Sequence, residues 1–246
     1  MKNRVGHRLC RLLVAAAIVF TGLAGAQAAL ACGTGGYSYA GMASPGRAFG
    51  IGATVTPMGG FSLVAGHVAG WVGVGGPGLG PAGTDEWLQV GFNRIPQLAG
   101  NSLYYELALP NRLPTYHQIA TRLPMGRPVR FAVLEMHNRP SWWRVWVNGR
   151  AASRPIYMPG SHGRWAPIAT AESYDGGTSG ACNGFLYSFR NVSIANVPGG
   201  GWRQLASGYP ITSSSTQVER DGRVAASFIA AEGRGNALPV FDTFRP

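Results

Sequence analysis

The chain has 246 residues, only 13% of them charged, with 37 glycines, 17 prolines and a net charge of +11. No run of Lys or Arg concentrates that charge, which argues against a nucleic-acid binder. Beyond the N-terminal segment no window sustains a 3.6-residue apolar period, which excludes a helical bundle or coiled coil, and His67, His117, His137 and His162 stand without a His-x-x-x-His or Cys-x-x-Cys partner, which leaves no metal or cofactor site in view.

The first predicted element is a leader. Met1-Lys-Asn-Arg with Arg8 and Arg11 is cationic, Leu12 to Leu23 is apolar but too short to span a bilayer comfortably, and Ala26-Gln-Ala28 is a small-x-small cleavage site. Residues 1–28 therefore read as a secretory signal peptide, and the product is expected to be secreted, free of the membrane once cleaved, and monomeric. Cleavage removes four of the 21 Lys and Arg, so the net charge falls from +11 to +7. Cys32 and Cys182 remain, and an even count in an exported chain permits one disulfide between them.

Strands are predicted near residues 49–56, 61–74, 87–92, 103–107, 116–123, 129–136, 142–147, 164–174 and 185–194, each short and bounded by turn residues. That pattern predicts an all-β, antiparallel β-sandwich, and a mature length of about 218 residues suits one such domain. Residues 29–198 are assigned to the sandwich and 199–246 to a C-terminal extension or hairpin packed on it. Asn148-Gly149 and Asp221-Gly222 are two-residue hairpin turns by composition. On the strand at 142–147, Trp142 and Trp146 share one face and Trp143 takes the other.

Parity also exposes candidate chemistry. In Trp87-Leu-Gln-Val-Gly91 the apolar Leu88 and Val90 can enter a core, so Gln89 must face the other way. Glu106 stands opposite Leu103, Tyr105 and Leu107, and Glu172 stands opposite Ala169 and Ala171. One amide and two carboxylates can thus share one sheet face. Two other motifs carry nothing: Gly73-Val-Gly-Gly-Pro-Gly78 fits GxGxxG without a helix to receive phosphate, and Gly177-Thr-Ser-Gly-Ala181 lacks the strand–turn–helix setting of a nucleophile elbow.

In order along the chain, Trp71-Val-Gly-Val-Gly-Gly, Leu88-Gln-Val-Gly91, Tyr104-Tyr-Glu106 with Pro110, and Ala171-Glu172 resemble the secreted glutamic peptidases, the eqolisins. Tyr39-Ala-Gly41 and Gly52-Ala-Thr-Val-Thr-Pro57 are similar to that family's opening strands, so the likeness runs over roughly 37–194. The resemblance implies a concanavalin A-like sandwich of the lectin/glucanase jelly-roll type, with a substrate groove on its concave face. It also implies an acid endopeptidase without a cofactor, acting on polypeptides, with Glu172 and Gln89 as the catalytic pair and Trp71, Tyr104 and Glu106 in the substrate site. The chain departs from the family's acidic positions at Gly75 and Ser102. An alternative stays open: a non-catalytic lectin-like module that binds polysaccharide or cell wall on the same face, with Trp71, Tyr104 and Trp142 or Trp146 stacking on the sugar and Gln89 and Glu106 bonding its hydroxyls, or a plain structural surface protein.

Overall fold

The computed structural model describes residues 36–59, 61–174, 183–205, 207–212, 217–220, 223–224, 228–229 and 241–245. The leader, Cys32, Cys182 and the Asp221-Gly222 turn lie outside the described residues. The first strands are Tyr37–Ala43 (β1), Gly50–Pro57 (β2), His67–Gly76 (β3), Glu86–Arg94 (β4), Asn101–Ala108 (β5) and Thr115–Leu123 (β6). Val129–Glu135 (β7), Trp142–Val147 (β8), Arg150–Ala151 (β9), Ile156–Tyr157 (β10), Ile168–Tyr174 (β11) and Phe185–Val197 (β12) follow. Gly200–Gln204 (β13), Ser207–Thr212 (β14), Gln217–Arg220 (β15), Arg223–Val224 (β16), Phe228–Ile229 (β17) and Phe241–Arg245 (β18) complete the set.

These strands form two antiparallel sheets, so the chain is an all-β sandwich. The front sheet has the order β17-β14-β1-β11-β3-β4-β5-β6, and the back sheet β10-β8-β7-β2-β12-β18-β15-β16, with β13 beside β12 and β9 beside β8. Strands from beyond residue 198 join both sheets: β14 pairs with β1 in front, while β13 and β18 pair with β12 behind.

The core lies between the sheets. From the front, Val68, Val72 and Val74 of β3, Leu88, Val90 and Phe92 of β4 and Ala169 and Ala171 of β11 turn inward. They meet Ile51, Ala53 and Val55 of β2, Phe131 and Val133 of β7, and Phe185, Tyr187 and Phe189 of β12. Phe92 and Phe131 meet edge to face across the gap at 5.3 Å. Each such side chain removed from water stabilises the fold by about 1.5–3 kcal/mol.

Alternation along β8 puts Trp143 in this core, where its indole N–H donates to Ser161 Oγ at 2.7 Å, and leaves Trp142 and Trp146 half-buried on the outer side. Asn148 and Gly149 have φ of 48° and 76° and join β8 to β9 with Val147 opposite Arg150. Two positive φ values are what a type I′ hairpin turn requires.

Two strand starts differ from the sequence pattern. The predicted strand 61–74 begins only at His67, because residues 62–66 are held as a loop by a side chain. The Asn183 carboxamide oxygen accepts from Val64 N at 2.7 Å and Ala65 N at 3.1 Å. Its NH₂ donates to the carbonyls of Ala65 (2.7 Å), Tyr174 (3.0 Å) and His67 (3.3 Å). The predicted strand from Arg164 begins at Ile168, directly after Pro167, which has no N–H to give a ladder. The strand β1 carries no clean alternation, since Ala40, Gly41, Met42 and Ala43 are all buried between β11 and β14.

Candidate functional site

Register assembles the outward face of the front sheet in rows. One row runs Tyr39, Glu172, Ala69, Asn93 across β1, β11, β3 and β4. The next runs Thr170, Trp71, Gly91, Tyr104, and the third Ile168, Gly73, Gln89, Glu106, Tyr116. All five residues singled out from the sequence, Trp71, Gln89, Tyr104, Glu106 and Glu172, therefore stand on one face. Leu88 and Val90, fully buried, point the other way.

Two glycines shape the floor. A Cβ on Gly91 would sit 2.7 Å from the Trp71 Cα and Cβ, and one on Gly73 would sit 2.9 Å from Gln89 Cβ and 3.1 Å from the Trp71 ring. Without those side chains the Trp71 indole lies flat across the strands, packed with Ala69 and Tyr104 in an apolar cluster separate from the main core. Tyr104 in turn stacks on Tyr116 at 5.4 Å.

The polar groups are tied to this aromatic floor. Glu172, 7% exposed, accepts the Trp71 indole N–H on Oε2 at 3.2 Å and meets His67 Nε2 through Oε1 at 2.9 Å. Gln89, 8% exposed, donates one N–H to Tyr104 Oη at 3.1 Å. Glu106 accepts the Trp87 indole N–H at 3.0 Å. Gln89 and Glu172 do not touch: β3 stands between their strands, with Ala69 opposite Glu172 and Gly73 opposite Gln89. Trp71 and Tyr104 fill the interval.

The charges are coupled across this face. Burial pushes the Glu106 carboxyl up, the Trp87 hydrogen bond works against that, the Glu172 charge adds to it and His67 opposes it. Burial, then the charges of Glu172 and Glu106, hold the Tyr104 hydroxyl well above its ordinary value, so it remains a neutral partner for Gln89. A desolvated face with paired carboxylates and a neutral amide donor is suited to moving a proton and stabilising a developing negative oxygen.

No protein-family model and no curated protein sequence matches the chain. Solved structures do. Scytalido-glutamic peptidase bound to a peptide-based transition-state analogue aligns with a TM-score of 0.51 and 13% identity, over 85% of this chain and 98% of that one. The same peptidase with a transition-state analogue inhibitor aligns at 0.50 and 12%, with the same coverage of both chains. The chain has the concanavalin-like fold of the glutamic peptidases. At such identity the likeness concerns this fold, and what the outward face of the front sheet does rests on its own residues.

Two further residues belong to that face. His67 stands isolated in the sequence, yet it lies at even spacing from Ala69 and Trp71 on one strand, which puts it on the Glu172 side. Trp87 shares the parity of Gln89, and its indole holds Glu106. Alternation carried to the strand ends is the signal that finds both. Gly75 and Ser102 occupy the two positions where acidic residues were expected, and neither brings a carboxylate to this face.

Proposed function

We propose that the protein is a secreted glutamic endopeptidase that hydrolyses peptide bonds of polypeptides at acid pH. The observation that carries this reading is the common face: Glu172 and Gln89 flank the Trp71–Tyr104 floor, and each is anchored to it by one hydrogen bond. Glu172 acts as general base and acid. Its carboxylate takes a proton from water as the water oxygen bonds to the scissile carbonyl carbon, and then gives that proton to the amide nitrogen as the C–N bond breaks. Gln89 supplies the oxyanion donor, because its NH₂ has two N–H groups and Tyr104 uses only one. Trp71, Tyr104 and Glu106 line the place where the substrate backbone lies.

Purified mature protein should cleave denatured casein at acid pH, with Glu172→Gln abolishing cleavage. A wild type as inert as this variant from pH 2 to 8 removes the reading.

A second reading, a lectin-like binder of polysaccharide, is favoured by the rings presented at the same face. Tyr116 and Tyr37 are exposed, stacked on Tyr104 and Tyr39 respectively at 5.4 and 6.2 Å. Retention on a glycan or cell-wall column that is weakened by Trp71→Ala and indifferent to Glu172→Gln would favour it.

A further inference from the structure

We propose that His67 is the fixed partner of Glu172, a positioning residue that holds Oε1 of this carboxylate and leaves Oε2 for the proton transfer. The inference rests on the glutamic-peptidase reading for its catalytic meaning, but the pair itself is a feature of the fold. Glu172 is 7% exposed and its other anchor, the Trp71 indole, is a neutral donor. A carboxylate held by one donor alone can turn about its side-chain bonds, and proton transfer from water needs a fixed oxygen within hydrogen-bond reach. Among the described residues His67 is the one cation-forming group at ion-pair distance, with Nε2 2.9 Å from Oε1.

The imidazole is held rather than free. It lies edge-on to Tyr37 at 6.4 Å and tilted against Tyr174 at 5.8 Å, with 27% of its side chain open to solvent. The titratable groups around it are Tyr37 and Tyr39 from β1, Glu172 and Tyr174 from β11, and Glu106 at longer range from β5. The strand β4 contributes none: Asn93 is neutral, and Arg94 pairs with core-facing Val68 and so shares its side of the sheet. Among the described residues an imidazolium here has only acidic or neutral neighbours. It neither gains nor loses a proton during turnover. The proton cycle belongs to Glu172 Oε2, while His67 holds Oε1.

The test has an activity arm and an arm that needs no activity. His67→Gln keeps a donor to Oε1 and should retain most of kcat, whereas His67→Ala removes it and should lower kcat about tenfold or more with KM little changed. In the full-length protein, nitrogen NMR of the His67 ring should show its Nε2 resonance shift in Glu172→Gln, while His162, paired with Glu135 in the back sheet, keeps its own. An inert wild type whose His67 Nε2 resonance still shifts in Glu172→Gln keeps the pair and rejects the peptidase. A kcat unmoved by His67→Ala in an active enzyme, or a His67 Nε2 resonance unmoved by Glu172→Gln, overturns the proposal.

Discussion

Among single residues, the amide of Gln89 is closely placed by its neighbours. It faces outward because Leu88 and Val90 occupy the core, it is nearly closed off from solvent, and Tyr104 takes one of its N–H groups. Under the proposed function the second N–H serves a developing oxyanion, and loss of one such donor typically lowers kcat about 10²–10³-fold. Gln89→Ala should therefore fall by that amount with KM little changed, whereas Tyr104→Phe, which keeps the ring and removes only the acceptor, should fall less. Initial rates on a fluorogenic peptide measure both. Much of this face was legible in the sequence, because alternation in short strands assigns Gln89, Glu106 and Glu172 to one side without knowledge of the topology. The His67–Glu172 contact was not legible: it joins residues 105 apart, and no local pattern reports which strands become neighbours.

At the scale of elements, the polar face depends on where β3 begins and β11 ends. Both ends are fastened by Asn183, fully buried, which bonds the loop before β3, the His67 carbonyl at its start and the Tyr174 carbonyl at the end of β11. Asn183→Ala would strand several of these backbone groups and should cost about 2–3 kcal/mol in urea unfolding, with the m-value unchanged. His67 should also lose its fixed ring contacts, visible as sharpened exchange-averaged resonances. Strand existence was readable here, but strand ends were not. Periodicity extends the apolar run of β3 back to Phe61, whereas a remote side chain claims the backbone groups of Val64 and Ala65 first.

For the whole molecule, the clearest lever on stability is Glu86, at the start of β4. Its side chain is fully buried, and neither carboxylate oxygen has a hydrogen-bond partner among the described residues. Burial pushes its pKa from 4.5 up to about 7, with Arg164 opposing. Between those two values the folded state keeps a proton that the unfolded chain releases, so the contribution of Glu86 to stability falls as the pH rises through this window. Glu86→Gln should match the wild type near pH 4 and exceed its Tm at pH 8, a comparison that differential scanning calorimetry makes directly. A wild-type-like Tm difference at both pH values would mean the carboxyl finds a partner in solution. The sandwich itself was visible in the sequence as glycine- and proline-bounded alternation, while its strand order was not, because β1 pairs with β11 and β2 with β12 across more than a hundred residues.

That separation divides the proposed dyad in time. Gln89 and Tyr104 lie 15 residues apart on neighbouring strands and can meet within a local hairpin. Glu172 reaches Trp71 across 101 residues and His67 across 105, so its half of the site exists only after the front sheet has closed around β11. A chain not yet fully folded would carry Gln89 with its Tyr104 partner but no anchored Glu172. Under the proposed function, the topology would then serve as a safety catch against self-digestion, with hydrolytic capacity arriving together with the folded state that resists it.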